Sequence, residues 1–188
     1  MVTRKYTKDY RIETNFDLRG RVREKVIYCG AYYCFSQPIS TVWKHFKKLL
    51  ILTALALLAV ILPMAVQNSY LDRFYVFLPH GFAVIPVYLL CAAMRRIYMA
   101  KDRQVIREHR DKIVHRLEKA GVFLLVVSIL SVAVLPVYLV LESPGLAEWI
   151  MMLLTVGRLA LAWLILPMYK DFVMEELPST SELPKCEQ

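Results

Sequence analysis

Four long stretches of this chain are apolar almost without interruption. Leu49 to Val66, Phe74 to Met94 and Ala120 to Leu141 contain no charged side chain, and Trp149 to Met168 is broken only by Arg158. A helix needs about 20 apolar residues to cross ~30 Å of hydrocarbon, so each stretch predicts a membrane span. The predicted fold class is therefore an all-α membrane protein, a four-transmembrane-helix bundle over residues 41–170. The spans lie at about 49–66, 74–94, 120–141 and 149–168, with a polar loop over 95–119 between the second and third. Leu62-Pro63, Pro86, Pro136 and Pro167 each remove an amide donor from a span, which predicts kinks near the freed carbonyls of Ala59, Phe82, Val132 and Trp163.

Ahead of the first span the period changes from helical to two. Tyr10, Ile12, Thr14 and Phe16 alternate with polar neighbours, as do Val22, Glu24, Val26 and Tyr28 with Arg21, Arg23 and Lys25. That alternation predicts strands, and Asp17-Leu18-Arg19-Gly20 between them supplies turn residues, giving a β-hairpin over 10–28 in an N-terminal segment 1–40. A lone hairpin buries too little to stand in water. The aromatic run Ala31 to Phe35 is expected at headgroup depth, and a helix is expected to start at Ser40 or Thr41, after Pro38. In the 95–119 loop, Ile106, Ile113 and Leu117 fall on one helical face, predicting a helix that extends the second span. Residues 171–188 are acidic and rich in Pro, Ser and Thr, predicting a disordered tail.

Composition agrees with the spans, because 57% of the 188 residues are hydrophobic, above the ~45–50% of soluble domains. Mean hydropathy is +0.43. The net charge of +8 is unevenly placed: residues 1–48 carry 11 Lys plus Arg and residues 95–119 carry nine, whereas the alternate connections contain only Arg73. Basic residues accumulate on the cytoplasmic side, so both termini and the hairpin are expected there, in a cell membrane. No apolar signal segment precedes the first span, which must then target the chain itself. The bilayer is the first expected partner, with anionic headgroups meeting a basic surface that includes Arg21, Arg23, Lys25, Arg103, Arg107 and Arg110. Nucleic acid is not an expected partner.

Little catalytic chemistry is visible. Six isolated glycines build neither a P-loop nor a dinucleotide fingerprint, so no cofactor is expected. The four histidines include no pair four residues apart and no HExxH occurs, so no metal site is expected. Cys29, Cys34, Cys91 and Cys186 are expected to be free thiols on or near a reducing cytoplasmic side. One residue stands out: Arg158 lies nine residues after Trp149 and ten before Met168, at a depth where a cation costs ~2.5–3.5 kcal/mol and needs partners. Candidate partners are the Phe82 carbonyl, Ser128, Ser131 and Thr155; His80, near the outer end of the second span, is included in the candidate polar site and reads either as a proton relay or as an interface residue.

The segment Lys5-Tyr6-Thr7-Lys8-Asp9-Tyr10-Arg11, with Gly20-Arg21 and Tyr28-Cys29-Gly30-Ala31-Tyr32-Tyr33 ahead of four spans, resembles small uncharacterised four-span membrane proteins of Gram-positive bacteria. That resemblance implies a bacterial cell membrane and supplies no activity or ligand. The function expected first is a non-enzymatic membrane subunit or adaptor, whose hairpin docks a membrane-protein partner or a second copy. The alternative is a small-solute transporter or channel component using a polar site at Arg158. A membrane enzyme ranks last, because no acid, base, nucleophile and metal constellation appears at span depth.

Overall fold

The computed structural model describes residues 4–16, 22–65, 71–100 and 104–177. After a 3-10 turn, Arg4–Asp9, the strands β1 (Tyr10–Phe16) and β2 (Val22–Tyr28) pair antiparallel in a register that sets Ile12 opposite Val26 and Tyr10 opposite Tyr28. The two residue sets of the period-two pattern thus share one face. The turn residues 17–20 lie outside the described residues. Gly30 follows β2 because nothing larger fits: a Cβ there would sit 2.6 Å from the Tyr28 hydroxyl and 2.9 Å from Asp9 Cβ.

Four helices are long and apolar enough to cross a membrane: Ile39–Ala65, Phe74–Ala100, Arg107–Leu141 and Leu146–Phe172. The chain is a multi-pass membrane protein on that measure. Prolines divide three of the four. The second comprises α2 (Phe74–Phe82) and α3 (Val84–Ala100), interrupted at Ala83, three residues before Pro86. In the third, α4 (Arg107–Ala133) gives way at Val134 to α5 (Leu135–Leu141), which has Pro136 in its first turn. The fourth is α6 (Leu146–Ile165), which tightens at Pro167 into the 3-10 turn Leu166–Phe172. α1 (Ile39–Ala65) runs through Pro63, within a turn of its end, and α2 runs through Pro79.

The helices close a ring in which α1 packs on α3 and α6, and α4 packs on the same two. Alanines make the close approaches: Ala56, Ala83, Ala93, Ala120 and Ala162 are fully buried among Leu49, Val60, Leu90 and Leu124. Small side chains bring helix backbones together where hydrophobic driving force between helices is absent. The outer surfaces carry Leu50, Leu58, Val126, Leu130, Leu153 and Trp163, all exposed, as lipid-facing positions should be.

The end of the bundle that carries the hairpin holds a second sheet. Strand β3 (Tyr32–Phe35) lies between β4 (Val105–Ile106) and β5 (Met174–Glu176), antiparallel to both. Within the aromatic run 31–35, residues 32–35 form the central strand of this sheet, because their backbone finds partners on both edges. Two expectations are corrected here. The amphipathic stretch 107–119 belongs to α4 and not to the second span, since extended residues 105–106 pair with β3 and break the helix. Its apolar face is as expected, with Ile113 and Leu117 buried. Residues 174–176, expected to be disordered, form β5, with Met174 buried and the two glutamates outward. The rest of that tail, 178–188, lies outside the described residues.

Candidate functional site

Arg158 on α6 is fully buried, and four helices supply its surroundings. Its Nη2 donates to Ser131 Oγ on α4, and Ser131 in turn donates to the Val127 carbonyl at 2.9 Å. Its Nη1 lies 3.2 Å from His80 Nδ1 on α2. A guanidinium can only donate, so Nδ1 accepts and the His80 proton sits on Nε2, which donates to the Val60 carbonyl of α1 at 3.0 Å. The arrangement holds a cation with neutral acceptors, and each acceptor is anchored to a backbone carbonyl on the far side.

This places two of the anticipated residues together and moves the others apart. Ser131 is a direct partner. Thr155 turns back to the Met151 carbonyl of its own helix at 3.0 Å, and Ser128 is buried with its hydroxyl unpartnered among the described residues. His80, included in the candidate polar site, is 1% exposed and completes the network, where it is a buried acceptor for Arg158. Sequence reading fixes its distance along the chain but not its rotation, which the break at Ala83 between α2 and α3 determines.

At the opposite end the hairpin is held by its base. Tyr6 donates to Asp111 at 2.9 Å, the Arg107 amide donates to the Tyr28 hydroxyl at 3.1 Å, and Tyr28 donates to the Ala31 carbonyl at 2.9 Å. Rings stack upward from there, Tyr28 standing edge-on to both Tyr10 and Tyr32. Of the anticipated basic surface, Lys25 and Arg107 are exposed, and Arg110 lies 4.5 Å over the Tyr33 ring. The side chains of Arg21, Arg23 and Arg103 lie outside the described residues. Cys34 and Cys91 are free thiols, whereas Cys29 is disulfide-bonded, which corrects the expectation of a free thiol there. Cys186 lies outside the described residues.

Burial, then the Glu108 carboxylate to which it is hydrogen-bonded, raises the Tyr10 phenol above its ordinary 10.0, and burial does the same for Tyr28. A raised folded value means the uncharged phenols belong to the docked state. The phenols' contribution to docking is therefore fully present below pH 10 and falls as pH rises beyond it, when the released phenols ionise first. Proteolysis within the hairpin is expected to accelerate above that pH in the native chain, and much less when Tyr10 and Tyr28 are both phenylalanine.

A cavity of about 810 Å³ opens between α3 and α4 near this end. Arg95 and Arg96 of α3 and Lys112 and Arg116 of α4 line it with His109, and among the described residues no carboxylate does. The spacing 88, 91, 92, 95, 96, 99 was visible in the sequence as one helical face, but the basic residues singled out there were others. Among the described residues, no three His, Cys, Asp or Glu side chains gather in a way that holds a metal ion. Compared with protein-family models, curated proteins and solved structures, the chain matches none of them.

Proposed function

We propose that the chain is a non-enzymatic subunit or adaptor of a membrane assembly, and that the β1–β2 hairpin is the element that docks a partner membrane protein at the cytoplasmic face. The observation that carries this reading is the exposure of its apolar cross-strand pair: Ile12 is 62% exposed and Val26, directly opposite, is 58% exposed. Their neighbours Arg11, Glu13, Thr14, Glu24 and Lys25 are exposed as well, so both faces of the described hairpin are open beyond its base. Two-stranded hairpins are marginal in water, and an exposed apolar face on one is a surface awaiting cover. Orientation follows the basic residues, which crowd the hairpin end of the bundle.

The transport reading has less support. Arg158 is sealed from solvent, and neither the α3–α4 cavity nor the shallow one beside Lys119 and Phe123 reaches it. Its hydrogen bonds run to neutral groups that are themselves tied to α1 and α4, which fits a hub joining helices.

Affinity purification of the full chain from native membranes in a mild detergent tests the adaptor reading. A stoichiometric foreign protein is expected with the native chain and is expected to be lost from Ile12→Ser/Val26→Ser, whose bundle core is untouched. A homo-oligomer in both samples, with no second protein, would replace the adaptor reading with self-association independent of the hairpin.

A further inference from the structure

We propose that the groove between α3 and α4 binds an anionic membrane lipid through its phosphate, with Arg95, Arg96 and Arg116 at the headgroup and Tyr88 and Cys91 along the acyl chains. The inference stands on residues separate from the hairpin and from the Arg158 network.

Three observations converge on it. The first is an excess of positive charge. Glu108 is bonded to Lys112 and also acts on Arg96, but among the described residues Arg95, Arg96 and Arg116 have no carboxylate at ion-pairing distance. Arg96 and Arg116 are both half-buried and close enough for their charges to interact. Like charges held together away from bulk water are unfavourable unless an anion joins them, and planar guanidinium groups suit phosphate oxygens. The second is the order of side chains along α3. Tyr88, Cys91, Arg95 and Met99 follow each other at three- or four-residue steps on one face, and at 1.5 Å per residue Tyr88 lies roughly 10 Å deeper in the span than Arg95. The cations thus sit nearer the helix end, as headgroups do, and Tyr88 and Cys91 lie toward the hydrocarbon. The third is access. Tyr88 is 69% exposed on the outer surface of a spanning helix and Cys91 is exposed beside it, so the groove opens sideways toward lipid. A soluble anion would leave that apolar half uncovered, whereas a lipid fills both halves. The volume is within the range of about 300–1,000 Å³ usual for small-molecule sites.

The test uses the full chain in a non-ionic detergent, titrated with phosphatidylglycerol or with phosphatidylcholine of the same acyl chains and weighed intact by native mass spectrometry. The native protein is expected to retain phosphatidylglycerol selectively. Arg96→Gln/Arg116→Gln is expected to retain it roughly tenfold less well, and Lys47→Gln/Lys48→Gln, which removes equal charge from exposed positions on α1, to retain it normally. Equal weakening in the two variants would show diffuse surface charge and overturn the site. Displacement of the lipid by an equal concentration of glycerol phosphate would overturn the lipid in favour of a soluble phosphate compound. Because Arg96→Gln/Arg116→Gln can fail to fold, the native chain supplies an independent arm: phosphatidylglycerol is expected to slow alkylation of Cys91 several-fold relative to phosphatidylcholine, with Cys34 unchanged. An unchanged Cys91 rate would also overturn the proposal.

Discussion

His80→Leu is expected to destabilise the bundle by about 1.5–3 kcal/mol, the worth of a hydrogen bond to a charged group. The volumes are similar, so the loss comes from leaving the buried Arg158 guanidinium short of the Nδ1 acceptor 3.2 Å away. Adding Arg158→Leu to the same chain is expected to restore part of that stability. With the charge removed, nothing in the outer half of the bundle requires the missing acceptor, and the Ser131 hydroxyl keeps its bond to Val127. The measurement is thermal unfolding in a single detergent, arranged as a double-mutant cycle. Losses that simply add would show that the two side chains do not share a network.

The second large effect is expected at the other end. Phe172 is fully buried at the close of the 3-10 turn, within the core that α1 and α4 share with Ile165 and Met168. Phe172→Ala is expected to cost about 3–5 kcal/mol, because the cavity left by a ring collapses only partly. Two residues further on begins β5, so the same change is expected to release β5 from β3 and open the backbone after Lys170 to trypsin. Phe172→Leu fills most of the space and is expected to behave nearly as the native chain does. Native cleavage and melting in the alanine variant would show that the turn is seated by its ion pair instead, the 3.0 Å contact of Asp171 with His45.

The spans were legible because the hydrocarbon imposes a length that uncharged runs such as Ala120 to Leu141 display directly. Arg158 was legible for the same reason, a charge being conspicuous where none is expected, and Ser131 followed from its depth. His80 was legible as a candidate of that site but its bond to Arg158 was not, because depth along a helix is readable while rotation about its axis depends on the interruption at Ala83. The hairpin was legible in its register, since pairing Tyr10 with Tyr28 is what puts both apolar sets on one face. The second sheet was hidden by distance: Tyr33 pairs with Glu176, and no local pattern announces a partner 143 residues away. Charge concealed it further, because Glu175 and Glu176 occupy outward positions of a strand, where acidic residues read as disorder.

That second sheet also sets the order in which the protein is completed during synthesis. Strand β3 precedes every span, β4 lies between the second and third, and β5 follows the last. While the ribosome is still translating the fourth span, β3 has one edge open, a condition that invites mispairing. A chain arrested before Met174 would carry all four spans and still lack the strand that fastens their common end. Closure of the sheet therefore has to wait for residues made after the fourth span.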